Sequence, residues 1–123
     1  MTTIAYKDGV LAADTRVTAG TTIFPNESKI VEGVGIAGSW EAVCALRNGQ
    51  AMPKKGWEAL TVAGTMFDSG GEQTLPEGDF WAIGSGAHFA LGAMAMGATP
   101  EEAVKIAARY DTGTNDTVET AWR

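Results

Sequence analysis

The chain has 123 residues, 45% of them apolar and 20% charged, with a net charge of −6 and a single cysteine. That length supports one hydrophobic core with little surplus, the acidic balance argues against a nucleic-acid partner, whose phosphates need clustered Lys and Arg, and no apolar run is long enough for a spanning helix. Cys44 alone cannot form an internal disulfide and suits a reducing, cytoplasmic setting, and the first residues lack the basic-then-apolar pattern of a signal peptide.

In chain order, residues 2–7 and 10–14 read as a hairpin turned at Asp8-Gly9. A second pair is expected over 29–32 and 34–37, joined around Gly33. Ser39 then serves as the N-cap of a short helix, with Glu41 in its first turn, that ends at Asn48-Gly49. Residues 50–56 form a loop, 59–67 a strand, 68–71 a turn, and 72–75 and 80–83 two further strands. Residues 85–96 are small and apolar on nearly every side, which predicts a helix buried over most of its surface. Thr99-Pro100-Glu101-Glu102 is a capping box that opens a helix running to Tyr110, and 115–122 is a last strand. Sixteen glycines fit a sheet-rich fold with many tight turns. Runs of strand with helices set between them indicate one α+β domain over 1–123 rather than alternating βαβ units.

Several familiar chemistries are excluded. One His and one Cys cannot assemble a zinc cluster, and His88 is expected to cap or pack within its own helix. GSGAHFA (84–90) lacks the third glycine of a dinucleotide fingerprint, so no metal and no cofactor are expected. Asp111-Thr112-Gly113-Thr114 matches the tetrapeptide of aspartic proteases, but those enzymes pair carboxylates from mirrored lobes, and nine residues after Thr114 cannot build a lobe. The opening Met-Thr-Thr is different. Trimming of Met1 is expected before a residue as small as Thr2, and it would leave a free α-amine beside that residue's own hydroxyl. A hydroxyl is a weak nucleophile until a neighbouring base takes its proton, and a terminal amine is one such base. Its ordinary pKa of about 7.7–8.0 lies close to working pH, and a nearby cation lowers it further.

Thr2-Thr3, GVLAADTRVTAG (9–20), SKIVEG (28–33), GIAGS (35–39) and AIGSGAHFALGA (82–93) occur in an order and spacing that resemble the N-terminal-nucleophile hydrolases, specifically proteasome β subunits and the HslV peptidase. The resemblance implies a four-layer αββα sandwich of two antiparallel sheets and an N-terminal threonine peptidase. It also implies roles: Thr2 as nucleophile, Lys29 as the cation that lowers the amine's pKa, and Asp14 as the acid that holds Lys29. The Gly38 N–H becomes an oxyanion-hole donor, Ser85 and Asp111 orient the Thr2 amine, and Thr114 supports them. It further implies peptide or unfolded-protein substrates, a ring-shaped homo-oligomer that encloses its sites, and an ATP-dependent unfoldase as a possible partner, with no membrane association.

The stretch between Gly38 and Ser85 has room for one short helix where the family has a longer pair, so a shortened outer helical layer is expected. Nothing but Met1 stands ahead of Thr2, as in HslV and unlike many proteasome subunits. Taken singly, each residue has a plainer reading. Asp14 and Arg16 fit a rim salt bridge, Lys29 a surface lysine, Gly38 a turn, Ser85 a helix cap and Asp111 a solvated helix end. Two other functions stay open: a silent structural or assembly subunit, and an amidase acting on a small amide.

Overall fold

The computed structural model describes residues 2–76 and 78–123. β1 (Thr3–Lys7) and β2 (Val10–Asp14) form the expected hairpin, and Asp8 and Gly9 both take the positive φ of its tight turn. β10 (Phe80–Gly84) pairs with the other edge of β1, and β11 (Val118–Trp122) with the other edge of β2. The first sheet therefore runs β10-β1-β2-β11 and is antiparallel throughout. The second contains β5 (Ile30–Val31), β6 (Val34–Ala37), β7 (Glu58–Thr61), β8 (Thr65–Asp68) and β9 (Gly71–Thr74) in sequential order, also antiparallel. A small separate hairpin joins β3 (Val17–Ala19) to β4 (Thr22–Phe24), in a region where the sequence reading places no element.

The pleat of the first sheet sorts its side chains by size. Ile4, Tyr6, Leu11, Ala13 and Ile83 meet Ala37, Leu60 and Leu75 in one buried cluster, where β1, β2 and β10 approach β6 and β7. The opposite face presents Ala5, Ala12 and Ala82, small enough for α2 (Ala87–Ala95) and α3 (Pro100–Tyr110) to lie close through Ala90, Met94, Ala103, Val104 and Ala107. A third cluster puts Ala42 and Val43 of α1 (Trp40–Arg47) against Ile36 and Ala59. The fold is thus α+β, built from antiparallel sheets and three helices.

Two local expectations need correction. The strand expected over 59–67 is a hairpin, β7 and β8. Gly64 takes a φ of +82° at the turn, the Gly64 N–H donates to Thr61 O at 3.0 Å, and the Thr61 and Thr65 hydroxyls bond across it at 2.7 Å. An apolar run hides such a turn because its residues pack equally well on either arm. The helix expected to be buried nearly all round is buried only at Ala90 and Met94, with Phe89 and Met96 left exposed and His88 on the solvent side.

Candidate active site

Thr2 lies just ahead of β1, the strand held between β10 and β2, so the sheet ladder fixes the position of Thr2. Asp14 ends β2, beside β1 in the same sheet, and Lys29 directly precedes β5 of the second sheet. All three are buried: Thr2 is 6% exposed, Asp14 0% and Lys29 3%. The Lys29 ammonium donates to Thr2 Oγ1 at 2.9 Å and to Asp14 Oδ1 at 2.8 Å. A buried carboxylate is costly unless paired and hydrogen-bonded. Asp14 meets that demand with three backbone donors as well: Thr3 N–H at 3.1 Å, and Arg16 N–H and Asn115 N–H at 3.3 Å each. Burial pushes the Lys29 pKa below its ordinary value. The charge and hydrogen bond of Asp14, and the charge of Glu119, oppose that shift, while Arg16 adds to it.

A second set of hydroxyls reaches the Thr2 nitrogen from the other side. The Thr2 N–H donates to Ser85 Oγ at 3.1 Å, and Ser85 Oγ donates to Asp111 Oδ2 at 2.6 Å. Thr114 Oγ1 donates to the same carboxylate oxygen at 2.6 Å, which leaves it to accept from Thr3 Oγ1 at 2.7 Å. Asp111 caps the C-terminus of α3. Burial alone would raise its pKa. The hydrogen bonds from Ser85, Thr114 and the Gly113 backbone outweigh that and hold the carboxyl below its ordinary value.

Ser85 is not the N-cap of α2. Gly86 holds that position without a side-chain bond, which frees the Ser85 hydroxyl for Thr2 and Asp111. The flanking glycines follow from close approach. A Cβ on Gly84 would overlap the Thr2 carbonyl, and one on Gly86 would overlap Thr3 Oγ1.

Thr2 opens onto a cleft of about 150 Å³ lined by Arg16, Val17, Lys29, Ile36, Gly38 and Trp40, among others. Gly38 takes a φ of +98°, and a Cβ there would come within 2.5 Å of Gly56 O, so the position excludes other residues. The seven residues singled out in the sequence therefore gather around one point: Thr2 with Asp14 and Lys29, then Ser85, Asp111 and Thr114, with Gly38 on the cleft wall. Met1 lies outside the described residues, and with it the expected trimming.

Sequence reasoning missed Thr3, Asn115 and Glu119. Thr3 and Asn115 reach Asp14 through backbone N–H groups, which no residue type announces. Glu119 had no local signal either: in VETAW the large apolar Val118 and Trp122 alternate with it, which reads Glu119 onto the outer face of β11.

No family model and no curated protein matches the sequence. Solved structures do match in shape. BPH of Thiobacillus denitrificans in complex with epoxomicin is 21% identical with a TM-score of 0.75, over 98% of this chain and 96% of that one. A second structure of Thiobacillus denitrificans BPH is 20% identical with a TM-score of 0.74, over 98% of this chain and 95% of that one. Eukaryotic HslV from Trypanosoma brucei is 19% identical with a TM-score of 0.70, over 98% of both chains. The chain accordingly shares the fold of BPH and HslV.

Proposed function

We propose that the protein is an N-terminal threonine peptidase, active once Met1 is removed. The observation that carries this reading is the Lys29 ammonium, buried between Thr2 Oγ1 at 2.9 Å and Asp14 Oδ1 at 2.8 Å. A lysine buried as a mere structural ion pair has no need to touch a hydroxyl at the chain's start. Here the cation stabilises negative charge developing on that oxygen.

With Met1 gone, the Thr2 amine takes the hydroxyl proton, and Oγ1 attacks the peptide carbonyl. Lys29 lowers the amine's pKa so that more of it is unprotonated at neutral pH. Ser85, oriented by Asp111 and Thr114, accepts one amine hydrogen and aims the lone pair at Oγ1. The Gly38 N–H receives the oxyanion of the tetrahedral intermediate, a contribution of roughly 10²–10³ in rate in comparable sites. The amine then passes its proton to the departing nitrogen, leaving an acyl ester on Thr2. Water, deprotonated by the same amine, hydrolyses that ester and restores the hydroxyl.

The same reading makes 1–123 one domain in a four-layer αββα arrangement, with α1 as its shortened outer layer. It extends to peptide or unfolded-protein substrates, a cytoplasmic homo-oligomeric ring that encloses the sites, and an ATP-dependent unfoldase as feeder. Similarity in fold to HslV supports those extensions. No helix among the described residues is long and apolar enough to cross a membrane.

The test is covalent labelling. Epoxomicin, which the similar BPH binds, should add its mass to a peptide that begins at Thr2, and Thr2→Ala should abolish both labelling and hydrolysis of fluorogenic peptides. Intact mass that retains Met1 in hydrolytically active protein would overturn the reading.

A further inference from the structure

Glu119 makes the most concentrated set of contacts outside the residues assigned above. It lies on β11, at the edge of the first sheet, opposite Ala13 and next to the Asp14 register position. Its carboxylate crosses to the segment that enters β5, at the edge of the second sheet. Oε1 accepts the Lys29 N–H at 2.6 Å and the Ile30 N–H at 3.0 Å, and Oε2 accepts the Ser28 hydroxyl at 2.7 Å. The Lys29 carbonyl accepts the Ile36 N–H at 3.0 Å. Both backbone polar groups of Lys29 are thus fixed, one by each sheet, and the side chain leaves a backbone that cannot shift.

The geometry points to Glu119 as a positioning residue, a carboxylate clamp that sets where the Lys29 ammonium stands between Thr2 and Asp14. This inference rests on the peptidase reading above. Two effects are separable. The hydrogen bonds place the Lys29 backbone, and short charge-assisted bonds to backbone N–H groups are the strong kind. The charge acts through space on the Lys29 ammonium, raising its pKa against the lowering by burial. The other charged groups facing Lys29 are Asp14 from β2 and Arg16 just after it. On the α1 side, Arg47 donates to Ser28 O at 2.9 Å.

The experiment compares Glu119→Gln and Glu119→Ala with the full-length parent, using fluorogenic peptide hydrolysis and NMR titration of the Lys29 side chain. Gln keeps an acceptor oxygen for both backbone N–H groups but drops the charge. Ala drops both. A misplacement of about 1 Å at a reacting group costs on the order of 100-fold in rate. Glu119→Ala should therefore lose about 10- to 100-fold in kcat, with KM within about twofold of the parent. Glu119→Gln should recover most of kcat, while its alkaline activity limb and its Lys29 titration both move to lower pH.

A folded Glu119→Ala protein with parental kcat overturns the clamp. If Glu119→Ala does not fold, Glu119→Asp decides: one methylene shorter, it draws back from the Lys29 and Ile30 N–H groups, and parental kcat in that variant overturns the clamp. Thr2→Ala separates the two levels of inference. Retained hydrolysis in that variant defeats the peptidase reading, whereas the Lys29 titration still reports on Glu119.

Discussion

At the residue scale, the Lys29–Asp14 pair sits under two demands that pull in opposite directions. Burial favours a neutral lysine, and the proposed chemistry needs a charged one beside Thr2 Oγ1. Asp14 reconciles them, holding the ammonium at 2.8 Å while its own charge is satisfied by backbone N–H groups. Removing one partner of a buried ion pair costs about 3–5 kcal/mol, so Asp14→Ala should lower the denaturation midpoint severely, as urea unfolding would show. The pH dependence carries its own sign. Lys29 titrates below its ordinary value of 10.5, so hydrolysis should fall on the alkaline side below that pH, and Asp14→Asn, which withdraws the counter-charge, should bring the fall to still lower pH. A pH–rate profile with no alkaline loss up to 10.5 would contradict the need for a charged Lys29. Asp111 behaves in the opposite sense. Its folded pKa lies below 3.8, so its stabilisation is complete above that value and is lost as pH falls through the depressed one. Acid-unfolding curves of the parent and Asp111→Asn should differ at neutral pH and converge once the pH falls below the depressed Asp111 value.

At the scale of elements, what the sequence made legible was whatever local chemistry alone specifies. The α3 capping box is a closed reciprocal pair, with Thr99 Oγ1 accepting from Glu102 N–H at 3.2 Å and Glu102 Oε1 accepting from Thr99 N–H at 2.9 Å. Thr99→Ala should therefore cost about 0.5–2 kcal/mol, readable as a drop in thermal midpoint. The Asp8-Gly9 turn and the turn around Gly33 were legible for the same reason, since positive φ favours Asp and Gly; Glu32, also at positive φ, gave no such signal. Elements defined by distant partners were not. The β3–β4 hairpin is secured from outside its own sequence: Asn115 accepts the Thr15 N–H at 3.0 Å and donates to Pro25 O at 3.0 Å. Ser85 shows the same limit at the site. One residue ahead of the N-cap Gly86, its hydroxyl reads locally as a cap, and only the return of β10 alongside β1 shows that it faces Thr2. Glu119 lies 90 residues from Lys29, beyond the reach of any periodic pattern.

At the scale of the whole molecule, the unresolved tension is between the composition of α2 and its surroundings. AHFALGAMA carries His88 as its one polar side chain and is otherwise apolar, as a helix covered on most sides would be. Yet Phe89 is 42% exposed and Met96, at its C-cap, 89%, while Tyr110 of α3, whose ring lies 5.5 Å from that of Phe89, is 61% exposed. Phe89 and Tyr110 thus form an exposed aromatic pair at one end of α2, and Met96 an exposed apolar side chain at its other end, on a chain that has 20% charged residues and a net charge of −6. Large apolar side chains left exposed along a helix suit contact with another macromolecule, and the proposed homo-oligomer supplies one without invoking a foreign partner. Light scattering coupled to size exclusion should then give a multiple of the chain mass at micromolar concentration. Phe89→Glu combined with Met96→Glu should shift the protein to smaller species, because a charge buried in an apolar contact is costly unless paired. Both positions point away from the core, so far-UV circular dichroism and the thermal midpoint of the single chain should change little. An unaltered oligomer in the double variant would place the subunit contact elsewhere, and a monomeric parent would remove the ring from the proposed function while leaving the Thr2 chemistry to stand on its own geometry.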